Sequence, residues 1–256
     1  ASGEKIDLSK LRLQRLGFFS DVKIDNARVP GTTDQVDLNV AVTEQASGSI
    51  SASLGYSQNA GLVFGANVSQ SNFLGTGNRV SIGLNRSDVR DSCNVSFLDP
   101  YFTPEGISRG YNLYLRKTKL DSANISSYST DSLGANISFS YPIDETETIS
   151  FSAGVDQTDI TLGSTPSTVV YDFTRASGTS LMTYTGTASW GRNTLNRGTF
   201  PTAGASQSVA VELGLPGSDV SFYKLTYNAQ RYFPVRNNWV GRGYARLGYG
   251  DALNGD

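Results

Sequence analysis

The chain has 256 residues, 17% of them charged, and a formal net charge of −2. That charged fraction lies below the roughly 25% of an average soluble domain, and the near-neutral balance gives no reason to expect nucleic acid as a partner. The chain contains no histidine and a single cysteine. Catalytic triads with histidine, His-ligated zinc sites and internal disulfides are therefore excluded, and we expect Cys93 to be a small apolar packing residue.

No apolar run reaches the ~18 residues of a transmembrane helix, and the amino terminus lacks the apolar core of a signal peptide. We therefore expect a mature protein or an excised part of a longer one. Residues 1–45 predict a small α+β unit, a helix followed by two alternating strands. The helix is expected to begin with Asp7 as its N-cap and to end before Gly17, and Pro30-Gly31 suits a turn between the strands. Its apolar face is expected from Leu8, Leu11 and Leu16.

The segment from residue 48 to residue 57 predicts a strand with one apolar and one small polar face. Apolar Ile50, Ala52, Leu54 and Tyr56 alternate with Ser49, Ser51, Ser53, Gly55 and Ser57, and Gly48 precedes them. No charged residue occurs from position 46 to position 78. A sheet edge in a soluble protein usually carries charges or proline that prevent further pairing, so this strand is an unprotected edge.

Ten further alternating runs follow, which makes about eleven strands after residue 46. The apolar positions of the clear runs are Leu62, Phe64, Ala66, Val68, Val80, Ile82, Leu84, Cys93, Val95, Phe97, Tyr111, Leu113, Leu115, Leu133, Ala135, Ile137, Phe139, Tyr141, Ile149, Phe151, Ala153, Val155, Val209, Val211, Leu213, Tyr223, Leu225, Tyr227, Ala229, Trp239, Ala245, Leu247 and Tyr249. The eighth run, at about 178–192, is ambiguous, because Met182, Tyr184, Ala188 and Trp190 compete with Leu181 for the apolar face.

Antiparallel segments of about ten residues with an apolar outside and a polar inside are typical of outer-membrane β-barrels. A soluble β-sandwich also has alternating strands, but these strands are long, their polar faces are mostly uncharged, and aromatic residues gather at strand ends as in an aromatic girdle. We expect a lipid face containing Ile50, Leu54, Leu62, Phe64, Ile82, Phe139, Phe151 and Leu225. We expect a lumen face containing Ser53, Asn67, Asn85, Asn136, Ser152, Glu212, Arg242 and Arg246.

The connections between strands alternate between a near side, where the α+β unit enters, and a far side. The fourth far-side connection, at 159–177, fits an outer loop, and we expect no surface helix in it. The near-side connection at 193–204 is longer than the short periplasmic turns of known barrels.

Several stretches resemble the BamA family of outer-membrane protein assembly factors, which combine POTRA domains with a barrel. The segment from Leu13 to Val22 resembles the end of the last POTRA domain. Near-side turns of the family are similar to the segments containing Asn72, Phe73, Leu74 and Gly75, then Asp99, Pro100, Tyr101 and Phe102, then Arg197, Gly198, Phe200 and Pro201. The resemblance runs over nearly the whole chain.

The resemblance implies an all-β transmembrane antiparallel β-barrel, partial here with about eleven of sixteen strands, preceded by a small α+β POTRA remnant. Residues 1–45 would be the C-terminal part of a POTRA domain in the periplasm, and residues 46–256 the N-terminal part of a barrel in the bacterial outer membrane. The Val-Arg-Gly motif of the family's sixth outer loop does not occur in this sequence.

The function implied by the family is the insertion of other β-barrels, with residues 48–56 pairing with a substrate strand. The implied partners are unfolded outer-membrane proteins, outer-membrane lipid and accessory lipoproteins of the assembly complex. The alternative is a two-partner-secretion-type transporter pore or a passive channel on a related barrel. An enzyme is not expected, and neither is a metal or cofactor.

Overall fold

A computed structural model describes residues 3–15, 17–32, 35–119, 128–236 and 239–253. Two helices and thirteen strands follow one another in these ranges. They are α1 (Gly3–Arg15), β1 (Phe19–Arg28), β2 (Val36–Glu44), β3 (Gly48–Ser57), β4 (Gly61–Gln70), β5 (Arg79–Arg86), β6 (Arg90–Asp99), β7 (Ser108–Lys119), β8 (Tyr128–Pro142), β9 (Glu147–Leu162), α2 (Thr168–Ser177), β10 (Ser180–Asn193), β11 (Gly204–Gly214), β12 (Phe222–Arg236) and β13 (Trp239–Ala252). Neither helix is long and apolar enough to cross a bilayer.

The first unit packs α1 against the antiparallel hairpin of β1 and β2, as the sequence predicts. Its small core centres on Val22, which is fully buried. The strands are joined through a turn at Pro30 and Gly31, where Gly31 has a φ of 84°. The helix begins at Gly3, so the prediction of Asp7 as its N-cap is wrong, because helical geometry already covers the preceding turn. Leu16 and the side chain of Leu8 lie outside the described residues.

Strands β3 to β13 form one antiparallel sheet in which each strand pairs with its neighbours in sequence. The spatial order runs from β13 at one edge to β3 at the other, and these two edge strands are not paired with each other in the described part of the chain. The eleven predicted barrel strands are therefore confirmed, and the partial barrel is open. An open sheet is expected here, since bacterial single-chain barrels close with an even number of strands.

The register confirms how the two predicted faces divide. Residues opposite each other in an antiparallel pair share a face. Ile50 lies opposite Val68 and Val68 opposite Ile82, and this apolar row continues across the sheet through Val95, Leu113, Ala135 and Val155. Small and polar residues occupy the other face, as where Asn112 lies opposite Asn136. The residues predicted for the lipid face all share the apolar face, and those predicted for the lumen all share the polar face.

The sequence left the face assignment in β10 open, and its prediction for the connection between β9 and β10 was wrong. In β10, Tyr184 lies opposite Val155 and Trp190 opposite Ile149, so these residues belong to the apolar face and Leu181 to the polar one. The connection between β9 and β10 contains α2, against our expectation that it holds no helix. The Ser167 hydroxyl caps this helix by accepting a hydrogen bond from the amide of Val170.

Candidate functional site

The candidate site begins with β3, the first strand of the sheet. It pairs with β4 along one edge, and no described strand pairs with its other edge. All ten of its residues are exposed, and on the apolar face Ile50 and Leu54 expose 83% and 78% of their surface. No residue of β3 carries a charge. The strand is therefore an open backbone edge with an apolar outer face.

The register identifies which backbone groups point away from β4. The amide of Ser71 donates to the carbonyl of Ser47 at 2.9 Å, so Ser47 and Ser71 form a hydrogen-bonded pair at the start of the hairpin. Hydrogen-bonded and non-hydrogen-bonded pairs alternate along an antiparallel ladder. The serines of β3 and Gly55 therefore bond to β4. The N–H and C=O groups aimed at the free edge belong to Gly48, Ile50, Ala52, Leu54 and Tyr56.

The near end of β3 is held by Gln70, the last residue of β4. Its side-chain amide donates to the Ser47 hydroxyl at 2.8 Å and to the carbonyl of Ser71 at 3.1 Å. Gly48 lies beside this side chain, and a Cβ at that position would overlap the Gln70 side-chain oxygen. A side chain at position 48 would therefore displace the Gln70 side chain from these hydrogen bonds.

The first near-side turn, at residues 71–78, has a compact and unusual backbone. Asn72 and Leu74 both have left-handed φ values, 57° and 52°, and the short 3-10 helix Phe73–Gly75 lies between the strands. The Asn72 carboxamide oxygen accepts from the Gly77 amide at 2.8 Å, which suits asparagine to this conformation. Leu74 is 85% exposed at its tip.

The second near-side turn follows β6 and is fixed by Asp99. One carboxylate oxygen accepts from the Tyr101 amide at 3.2 Å, and the other lies 3.5 Å from the Arg109 guanidinium. Arg109 also stacks on Phe102, with 4.0 Å between its guanidinium carbon and the ring centroid. The aspartate of the Asp-Pro-Tyr-Phe stretch therefore shapes the turn, Pro100 and Tyr101 line its surface, and Phe102 covers the ion pair.

The fourth near-side turn closes on Asn196. Its carboxamide donates to the Thr202 hydroxyl at 2.8 Å and accepts from the amides of Thr202 and Ala203. The tip contains Arg197, Gly198, Phe200 and Pro201. Phe200 has a φ of 50° and is 87% exposed. These internal bonds order the long connection, and the aromatic side chain is left outside.

The first three near-side turns and the α1–β2 unit surround one cleft of about 690 Å³. Arg12 of α1 reaches Glu145 of the third turn at 3.0 Å, and Ser71, Tyr101 and Asp144 also line the cleft. In that third turn, hydrogen bonds from the Thr146 amide and hydroxyl and from the Glu147 amide lower the pKa of Asp144. The tip of the fourth turn, residues 197–201, does not line this cleft among the described residues.

Residues 72–256 match the Omp85 superfamily domain. The chain belongs to the Omp85 superfamily.

Two BamA proteins are similar in sequence to this Omp85 chain. It is 35% identical to the "Outer membrane protein assembly factor BamA" of Neisseria meningitidis over 92% of its own length, and 29% identical to the Nitratidesulfovibrio vulgaris protein of the same name over 62%. It covers 31% and 19% of those two proteins. The chain thus spans about a third or less of the length of these relatives.

Two solved structures are similar to this Omp85 fold. The crystal structure of BamA from Haemophilus ducreyi lacking POTRA domains 1-3 matches with a TM-score of 0.78 at 28% identity, over 97% of this chain and 49% of that one. CdiB from Acinetobacter baumannii matches with a TM-score of 0.60 at 13% identity, over 94% of this chain and 46% of that one. The second likeness shows the fold alone.

Two features of this Omp85 chain were not identified from the sequence. Arg109 occupies an apolar-face position of β7 directly opposite Asp99, and an ionic residue at such a position is the signal that could have revealed the pair. Residues 106–110 also spell Gly-Ile-Ser-Arg-Gly, the Ser-centred pattern of a nucleophile elbow. However, Ser108 begins strand β7 opposite Ser140, whereas an elbow places its serine between a strand and a helix.

Proposed function

We propose that the full protein assembles other β-barrels into the bacterial outer membrane, and that β3 templates the incoming strand by β-augmentation. The observation that carries the proposal is the free edge of β3, where the backbone groups of Ile50, Ala52, Leu54 and Tyr56 have no partner among the described residues. The names of the BamA relatives support the assembly role.

The side chains of β3 suit a transient partner. Its polar face is made of serine and glycine, and its apolar face has the small Ala52 near the middle. Small side chains form few specific cross-strand contacts, and register is weakly specified where such contacts are few. An incoming strand can therefore shift along β3 before it leaves.

We also propose what surrounds this edge. The apolar face lies against outer-membrane lipid, and the α1–β2 unit is the end of a POTRA domain in the periplasm, next to the near-side turns. Unfolded outer-membrane proteins are the substrates, and accessory lipoproteins of an assembly complex are further partners. No step requires a catalytic group, because backbone N–H and C=O groups provide the template. The likeness to CdiB extends to fold only, so it does not favour the alternative of a secretion pore or passive channel.

Disulfide crosslinking in the full-length protein tests the templating step. Single cysteines replace Ser49, Ser51 or Ser53 in a Cys93→Ser background, and a second cysteine scans the last strand of a substrate. We expect crosslinks that form during assembly and shift in step with the substrate position. Ser81→Cys is the matched control, because β5 already has a partner on each side and should give none.

Proline substitution separates the free edge from the hairpin. Ala52→Pro removes an N–H that points to the free edge, so substrate crosslinks should be lost while the β3–β4 ladder remains. Ser53→Pro removes an N–H that bonds to β4 and should destabilise the hairpin itself. If Ala52→Pro assembles substrates normally, or if β3 stays crosslinked to the protein's own last strand throughout substrate folding, then β3 is a closing seam rather than a template.

A further inference from the structure

Two arginines of β13 lie on the polar face in unusual surroundings. Arg242 donates to the Gln230 side-chain oxygen at 3.2 Å, and Arg246 donates to the Asn228 side-chain oxygen at 2.9 Å. The Arg242 guanidinium carbon also lies 5.4 Å from the ring centroid of Tyr244. Both cations are thus oriented by neutral acceptors, and each guanidinium has five N–H donors, so most of its donors remain available.

These charges are not balanced nearby. Among the described residues, no carboxylate forms an ion pair with Arg242 or Arg246. The cations on the polar face of β3–β13 outnumber the carboxylates, although the chain as a whole is slightly acidic. By register, the cations on that face are Arg79, Arg90, Arg116, Lys224, Arg242 and Arg246, and the carboxylates are Asp156 and Glu212.

The two carboxylates on that face lie beside other residues. Asp156 accepts from the Tyr114 hydroxyl at 2.6 Å, and Glu212 lies directly opposite Lys224. Around the arginines, a polar hollow of about 410 Å³ is lined by Ser206, Ser208, Asn228 and Gln230 as well. The site therefore offers two oriented cations, hydroxyl and amide groups, and space for a ligand that brings negative charge.

We propose that Arg242 and Arg246 bind the carboxylates of an extended acidic peptide segment inside the barrel. The spacing suggests the pattern of that segment. The two arginines are four residues apart on one strand, so their Cα atoms are about 13 Å apart at ~3.3 Å per residue. An extended segment lying along β13 presents acidic side chains at the same interval when they too are four positions apart and on one face.

The chemistry of the arginines supports carboxylates as the ligand. Guanidinium groups bind carboxylates through paired N–H donors, with better geometry than lysine offers. The stacking of Arg242 against Tyr244 reduces the freedom that this side chain would lose on binding. The inference rests on the polar face lining the lumen and does not use the free edge of β3, so it can fail while the templating proposal holds.

The test measures peptide binding to the full-length protein in lipid nanodiscs by fluorescence anisotropy. The probe is a labelled peptide of serine, threonine and glycine with two aspartates four positions apart. One control peptide has the aspartates two positions apart, and another has asparagine at both positions. We expect the first peptide to bind at least about tenfold more tightly than either control, and the binding to weaken as salt is raised.

Variants assign the binding to the two arginines. Arg242→Gln and Arg246→Gln should each raise the dissociation constant about tenfold or more. Arg231→Gln is the matched control, since Arg231 lies opposite Gly243 at the same height on the apolar face and should leave binding unchanged. If Arg242→Gln or Arg246→Gln fails to fold, the corresponding lysine variant is measured instead. Lysine keeps the charge but lacks the paired N–H donors, so affinity for the peptide should still fall. Equal binding of the aspartate and asparagine peptides, no binding at all, or unchanged binding to the arginine variants would overturn the proposal.

Discussion

Arginine placed at neighbouring positions of β8 should have very different costs, because the two side chains point to opposite faces. Ala135 lies opposite Leu113 and Val155 on the apolar face, and Asn136 lies opposite Asn112 on the polar face. Ala135 also lies four residues from Phe139, which is opposite Arg109, and four residues from Asp131, which is opposite Lys117, and these charged positions bound the apolar row. That distance is about 13 Å along the strand, or about 10 Å in depth for a strand tilted by roughly 40°.

Ala135 therefore lies near the middle of an apolar band about 25 Å tall. An arginine at that depth costs about 2–4 kcal/mol, which corresponds to roughly 30- to 1000-fold in the folding equilibrium. Asn136→Arg should cost about 0.5 kcal/mol or less, as substitutions on a wet surface usually do. Phe139→Arg is a less sensitive test than Ala135→Arg, because Phe139 lies opposite Arg109 at the near rim, where the transfer cost falls to about 0–1 kcal/mol.

The free energies of unfolding can be measured by urea titration of the full-length protein in phospholipid vesicles, followed by tryptophan fluorescence. Ala135→Gln controls for side-chain size without a charge. The expected order of destabilisation is Ala135→Arg, then Ala135→Gln, then Asn136→Arg. If Asn136→Arg is as costly as Ala135→Arg, the assignment of faces is wrong, since a slip of one residue would exchange them.

Two further predictions concern a glycine in β8 and a carboxylate in the third near-side turn. Gly134→Ala should lower the free energy of unfolding by about 1–3 kcal/mol in urea titration, because the new Cβ would displace the ring of Tyr114, which bonds to Asp156. The cost should largely disappear in a Tyr114→Ala background. An equal cost in that background would contradict the contact. The lowered pKa of Asp144 means that its contribution to the turn is complete above its ordinary pKa of 3.8 and is lost as the pH falls through the lowered value. Hydrogen exchange at the Thr146 and Glu147 amides should therefore lose protection at acidic pH, and Asp144→Ala should remove that dependence.

The strands could be predicted from sequence because their signal is local. Alternation with period two fixes which residues share a face, and turns between neighbouring strands leave little freedom in the order. β3 has the bounds that the alternation of Ile50 to Tyr56 predicts. In β10 the alternation was ambiguous, since threonines suit either face, and only the pairing of Trp190 with Ile149 decided it.

The features that were predicted wrongly or missed depend on contacts that no local sequence pattern contains. The residues of α2 are rich in valine, threonine and aromatics, which favour strands over helices, and its capping by Ser167 is a weak signal beside them. The girdle predicted from aromatic residues at strand ends is only partly right. Tyr232 lies on the polar face opposite Arg242, because the next residue, Phe233, takes the outward position. The cleft beside Arg12 depends on how two separate units meet, and sequence periodicity carries no information on that.

The meander order of the sheet has a consequence for how the molecule folds and opens. Since every strand from β3 to β13 pairs with its neighbours in sequence, the contacts form a linear chain, and hairpins can be added one after another without long loop closures. In such a chain the terminal element has a neighbour on one side only. β3 can therefore separate from the sheet by breaking the single ladder to β4, whereas an interior strand must break two. Local opening should thus begin at β3, and the amide hydrogens of its outer half should exchange before those of β8.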